Sequence, residues 1–434
     1  MAHSPIPKLD GQAGLRVLRE LIATRSPLTA LVAMHRELGD VYQIGAPGFE
    51  PIVLVGPKHN RRFLVDEREH LRWRNPSDPV AKLLRRGILV VDDEEHDRYR
   101  AMMEPVLQRK HITQHIPAMW EYTDFIVDQW PDGGEVEMLV EMRKLALLIL
   151  MGTLFGVEFK PDLDALWKPI LRMLAYISPG LWLVMPNAPR LGYQDAIDAV
   201  DAYLYRIIRE RRADAKGTDD LLGQLIAQSD MTDDLIRDQL LTMLIAGHDT
   251  STALFAWALW VFGTYPDVLA TARDEIAALP TERPPTDAEL RKLTYLDHVI
   301  HETLRLYPPI HVGNRIAKHD IPVGDHCIPE GQRVMLSIFT THRDAEQWAS
   351  PDEFCPAHFD RTQHKRPAPL TYIPFGGGPR NCIGASFALV EARTVLARIL
   401  QRVDLELLTQ NAHIHMGATL EPRPGVRMRV SRRI

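Results

Sequence analysis

The chain has 434 residues, 45% of them hydrophobic and 25% charged, which is ample apolar material for a large core and rules out a disordered or low-complexity protein. A formal net charge of -6 speaks against a nucleic-acid or membrane-surface protein, since those partners call for a basic excess. Three cysteines, Cys327, Cys355 and Cys382, with no C-x-x-C pair, fit neither a disulfide framework nor a cysteine-rich zinc module.

The first ten residues have neither the charged nor the apolar segment of a secretory signal. Residues 41–44 and 52–55 read as strands flanking a turn at 45–51. From 79 to 279 the apolar periodicity is helical, with breaks at Pro131, at 179–189 and at Gly217. Within that stretch Thr232 is placed to cap a long helix that Tyr265-Pro266 ends. Its apolar residues, among them Leu240, Leu244, Leu254, Phe255, Trp257 and Val261, occupy nearly every face, so it is expected to cross the interior. Further on, 333–339 reads as a strand and 384–403 as a core-facing helix. The longest apolar runs, 145–157 and 254–263, are shorter than the roughly 18 to 20 residues that span a bilayer. With no linker and no internal repeat, residues 1–434 read as one mainly helical domain with minor β-structure, cytoplasmic and without a membrane span or a nucleic-acid partner.

The densest chemical signal is Phe375-Gly376-Gly377-Gly378-Pro379-Arg380-Asn381-Cys382-Ile383-Gly384. Three glycines and a proline make a turn-rich loop, and Leu389, Ala392, Leu396, Ile399 and Val403 after it recur at helical spacing, so Cys382 sits where a helix begins. Free amides and the positive end of the helix are expected to depress its thiol toward the thiolate, a ligand for iron. The usual fate of a free cysteine is that of a small buried hydrophobe. Against that stands the pattern F-x-x-G-x-R-x-C-x-G, which arises by accident on the order of once in ten thousand sequences of this length. Three further groups stand out. Ala246-Gly247-His248-Asp249-Thr250-Ser251-Thr252 places poor helix formers and polar side chains in the apolar helix. Glu302 and Arg305 share a helix face on a flank expected to be buried, and His96 and Arg100 share one face of an acidic helical segment.

These motifs resemble those of the cytochrome P450 family, and the resemblance runs over nearly the whole chain. It implies the fold of that family, a helical bulk plus small β-sheets, with haem b between the long central helix and the cysteine-loop helix. By resemblance Cys382 is the metal ligand; His96, Arg100, Arg315 and Arg380 hold the haem propionates; and Phe375, Gly376, Gly384 and Ala246 line the haem. Thr250 and Asp249 are the catalytic pair that steers protons. Glu302 and Arg305 support the haem loop with a third residue from a P-x-R-F segment, matched here by Pro356-Ala357-His358-Phe359, where His358 replaces the more frequent Arg. An N-R-D stretch ahead of that segment has His342 in place of Asn. The implied pocket draws on 79–89, 167–185, 242–246, 310–313 and 416–420, with Leu84, Leu174, Ile245, Ala246, Val312 and Thr419 as its residues and a fatty acid, terpene or polyketide as substrate. Arg85 and Arg86 could anchor a carboxylate, although solvent exposure is the better reading of both. The implied reaction hydroxylates or epoxidises that substrate with O2 and two electrons. No flavin or iron–sulfur motif follows Cys382, so the electrons are expected from NAD(P)H through a ferredoxin or flavodoxin with its reductase, delivered to a monomer. Arg98, Arg109, Lys110 and Arg393 are candidates for that docking surface, against the plainer reading of solvated charges. Rival readings are a haem-thiolate isomerase, dehydratase, coupling enzyme or peroxygenase, and a non-enzymatic haem sensor; the Asp249-Thr250 pair favours oxygen activation.

Overall fold

The computed structural model describes residues 4–24, 26–45, 48–179, 190–214 and 219–433; the break expected at Gly217 and most of that at 179–189 lie outside the described residues. A 32-residue helix, Asp233–Thr264, organises the rest. The Thr232 hydroxyl accepts from the Leu235 amide at 3.3 Å and caps it, and Tyr265-Pro266 ends it, as the sequence leads one to expect. Helices Met138–Ile149, Gln194–Ala213, Thr294–Leu306 and Ala385–Arg402 pack against it. An apolar residue on every side makes that possible: Leu240, Leu244, Leu254, Phe255 and Trp257 are all buried.

A five-stranded sheet has the spatial order 41–43, 52–54, 333–337, 312–317, 71–72, antiparallel except where 52–54 meets 333–337. The strand expected over 333–339 stops at Ser337, whose hydroxyl accepts from the Thr340 amide at 3.3 Å and starts the short helix Ile338–Thr341. A three-stranded sheet joins Val403–Leu407, Arg427–Arg432 and Glu135–Glu137. The hairpin His413–Met416 and Leu420–Arg423 is tied to the central helix by the Trp257 indole, which donates to Leu420 O at 2.9 Å. The fold is mainly helical with small sheets, and no single helix among the described residues is long and apolar enough to cross a membrane.

Candidate active site

The glycine loop is held open by backbone geometry. Gly376 and Gly378 have φ of 71° and 68°, where a side chain is strained, and a Cβ on Gly378 would lie 2.1 Å from Leu64 O. The Cys382 amide donates to Phe375 O at 2.8 Å and closes the loop just ahead of helix Ala385–Arg402. Cys382 itself is exposed, yet protein crowds it closely enough for burial to push its thiol up; the Gly384 amide and Arg100 oppose that shift without overcoming it. This corrects the expectation of a depressed thiol. The helix start acts through one amide, and the desolvation by the surrounding protein outweighs it.

The central helix has a matching interruption. Residues 236–245 and 251–259 are buried, but Ala246 between them is exposed and Gly247 and Thr250 are half-buried. The Thr250 hydroxyl donates back to Ala246 O at 2.6 Å. Asp249, one residue earlier, turns away from that surface and is 6% exposed. The Thr419 hydroxyl donates to its carboxylate at 2.9 Å, and burial, aided by Glu421, pushes Asp249 up to about 6. Glu421 is paired with Arg143. His248 is buried, and burial, with Arg143 nearby, pushes it down to about 3, so it is neutral. Ser251 donates at 2.6 Å to Glu391, a buried acid on helix Ala385–Arg402 that burial pushes up to about 8.

The four expected propionate ligands are not equivalent. Arg315 and Arg380 both lie against the indole of Trp73, with guanidinium carbons 3.7 and 4.7 Å from its centroid. Arg380 is also held by Asp92 at 2.6 Å and by Val91 O at 2.6 Å. Arg315 donates to Asn314 O at 2.7 Å, and burial, with Arg380 and Arg74 nearby, pushes it down to about 9. His96 is buried with Nδ1 2.8 Å from Asp97, and burial, with Arg380, lowers it. Arg100 instead binds the cysteine loop, donating to Asn381 O at 2.8 Å and to its side-chain oxygen at 2.9 Å.

Glu302 and Arg305 are fully buried, and their two parallel bonds measure 2.7 and 2.8 Å. His358 places Nδ1 3.1 Å from Glu302 and Nε2 2.7 Å from Ala349 O. Burial alone would raise Glu302, but Arg305 and His358 hold it below its usual range. Arg305 spends its remaining donors on the carbonyls of His342, Pro351 and Glu353. The His342 ring links this network to the cysteine loop, with Nδ1 3.1 Å from Arg305 O and Nε2 accepting from the Ile373 amide at 2.9 Å. Burial pushes it down to about 3, so it is neutral and its tautomer follows from those two bonds.

Several expected surfaces are otherwise engaged. Leu84, Leu174, Ile245 and Thr419 are buried, and Thr419 spends its hydroxyl on Asp249 rather than facing a ligand. Of the other residues expected there, Ala246 is exposed and Val312 half-buried, and Ile310, within the expected stretch 310–313, is 41% exposed. The stretch 180–185 lies outside the described residues. Arg85 and Arg86 are exposed but face Asp201 and Glu95. Of the docking candidates, Arg98 pairs with Asp230, Arg109 with Asp287, and Arg393 is buried against Asp297, so Lys110 is the exposed cation of the four that makes no ion pair among the described residues.

The protein-family model described as Cytochrome P450 matches residues 16–425. A putative cytochrome P450 139 of Mycobacterium tuberculosis is 30% identical, covering 94% of this chain and 98% of its own length. Mouse cytochrome P450 3A13 is 29% identical over 86% of this chain and 80% of its own. Among solved structures, the retinoic acid-bound cyanobacterial CYP120A1 superposes with a TM-score of 0.84 at 23% identity, covering 96% of both chains.

Proposed function

Because the chain belongs to the cytochrome P450 family and is a haem-thiolate monooxygenase, we propose that Cys382 is its iron ligand and that it hydroxylates or epoxidises a lipophilic small molecule. The observation that carries this reading is the exposed thiol of Cys382 within an otherwise crowded interior.

The residues present fit haem b: a thiol with free surface suits the metal, and Arg315 and Arg380, with a single carboxylate, Asp92, bound to Arg380, suit two propionates. Bound there, the haem supplies oxygen activation, since a thiolate ligand favours cleavage of an O–O bond. The chain supplies the rest. His96 adds a donor beside Arg380, and Arg100 holds Asn381, next to the ligand. Ala246 leaves room on the central helix, and Thr250 keeps a hydroxyl proton beside that room. Asp249, pushed up to about 6, takes and releases a proton close to neutral pH, with Thr419 fixing its carboxylate. Ala246, Val312 and Ile310 give the substrate an apolar surface, which supports a fatty acid, terpene or polyketide and agrees with the retinoic acid of CYP120A1. Electrons come from a redox partner; we assign NAD(P)H as their source and a ferredoxin or flavodoxin as carrier, in the cytoplasm. Residues 1–434 act as one catalytic domain, which is supported by a core cluster whose members run from Val80 to Val430.

Cys382→Ser tests the reading, because an alcohol stays protonated at neutral pH. The carbonyl complex of the reduced wild type should show the long-wavelength Soret band of thiolate ligation, and the variant should lack it. An unchanged band in the variant moves the ligand to Cys327 or Cys355 and defeats the assignment.

A further inference from the structure

The segment just after strand Leu71–Arg72 carries no role so far, yet it stands at the centre of the cationic cluster. Trp73 receives two guanidiniums on its ring, its own amide is held by the Asp92 carboxylate at 3.0 and 3.2 Å, and its indole nitrogen is buried without a hydrogen-bond partner among the described residues. The Nε atoms of Arg72 and Arg74 on either side are likewise buried and unpartnered among the described residues. Burial pushes Arg74 down to about 10; Asp78 opposes that shift, but it is already committed to Arg333 at 2.9 and 3.2 Å.

The charge balance is therefore incomplete. Arg74, Arg315 and Arg380 lie close enough for Arg315 to be destabilised by both of the others, and Asp92, bound to Arg380, is the one carboxylate acting on Arg315 against them. A buried cation without its counter-charge is costly, and so is a buried N–H without an acceptor. Both deficits call for the same thing, an anionic oxygen-rich group beside Trp73. The electron-rich face of the indole lowers the repulsion between the two guanidiniums and fixes where they stand.

We infer that Trp73 and Arg74 belong to the haem-propionate site, Trp73 as the positioning residue that sets Arg315 and Arg380 and offers its indole N–H, and Arg74 as a further cation. This rests on the haem reading above.

Three variants test it: Trp73→Leu removes the ring, Trp73→Phe keeps a ring without the N–H, and Arg74→Gln removes the charge. Two measurements are made, the transfer of haem from the ferric protein to excess apomyoglobin and the ferric/ferrous reduction potential. Trp73→Leu should release haem roughly tenfold faster and Trp73→Phe roughly two- to fivefold faster, in proportion to a lost cation–π pair and a lost hydrogen bond. Arg74→Gln should speed release and lower the potential, because a nearby positive charge favours the reduced iron. Rates and potentials like those of the wild type in all three overturn the inference. So does faster release from Trp73→Leu alone, which would make the ring ordinary packing. The thiolate band of the carbonyl complex separates the two readings: its absence from the wild type sinks the Cys382 assignment, whereas its presence with unchanged haem release sinks only the role of Trp73 and Arg74.

Discussion

Glu302 and Arg315 are both buried charges, but the protein treats them differently. Glu302 has Arg305 in two parallel bonds, His358 on the same carboxylate and the Cys355 amide donating at 2.8 Å, while Arg305 uses its remaining donors on three carbonyls. Arg315 has Asn314 O, an aromatic face and two other arginines nearby. The first region is complete as it stands and therefore supports. The second is short of negative charge as it stands, which the haem-propionate reading proposed above would account for. Glu391 shows a third solution. It is 1% exposed with Ser251 as its hydrogen-bonding partner, and it stays neutral at ordinary pH.

The largest effect is expected where the balance is complete. Glu302→Ala should leave Arg305 buried without its counter-charge, which costs about 3 to 5 kcal/mol for a buried pair. It should also free the Cys355 amide and loosen the path through His342 to Ile373 at the start of the cysteine loop. Haem content of the purified protein and its thermal midpoint are the measurements. Full haem content with an unchanged midpoint would place the support elsewhere and break the contrast with Arg315.

Glu391→Gln sharpens the contrast from the other side. Burial raises this carboxyl from 4.5 to about 8, so the folded state holds its proton more tightly than the unfolded chain does. The stability it contributes is full below about pH 4.5 and is lost as the pH rises through about 8. A glutamine keeps the shape and the bond to Ser251 but has no proton to lose. The variant should match the wild type near pH 4.5 and exceed it increasingly up to pH 9, by at most a few kcal/mol. A difference in thermal midpoint that stays flat over that range would mean the acid is ionised and has a counter-charge.

What the sequence announces and what it conceals divide along the same physical line. The cap at Thr232, the stop at Pro266, the glycine loop and the buried flank that carries Glu302 are written in neighbouring residues, because propensity, turn geometry and periodicity act over a few positions. Thr419 meets Asp249 across 170 residues, and Ser251 meets Glu391 across 140. No local pattern pairs them, although an acid beside the apolar stripe of 389–403 is an anomaly that could have drawn notice. Trp73 escaped because its significance lies in what surrounds it, two arginines from distant segments. The thiol of Cys382 shifts opposite to expectation for the same reason: the start of a helix is visible in sequence, but the depth of burial is not.

The smallest effect on stability, and the most telling for function, belongs to Thr250. Its hydroxyl is bonded to Ala246 O within the same helix, on the stretch that keeps open surface between the helix's two buried halves. Thr250→Ala removes that back-bond and installs a better helix former, so stability should move by less than about 1 kcal/mol. On the proposed reading, the proton it supplies to the reaction is lost all the same. Electrons should still be consumed, but a larger share should leave as hydrogen peroxide and a smaller share as oxidised substrate. Asp249→Asn should instead slow the whole reaction, because an amide cannot take and release the proton that the carboxyl holds near pH 6. Product formed per electron consumed, with peroxide measured alongside, distinguishes the two. If Thr250→Ala keeps both the wild-type ratio and the wild-type rate, the proton comes from another hydroxyl. Ser251 is buried and turned toward Glu391, away from the open surface that Thr250 shares with Ala246, so the donor would have to be carried in by the substrate itself.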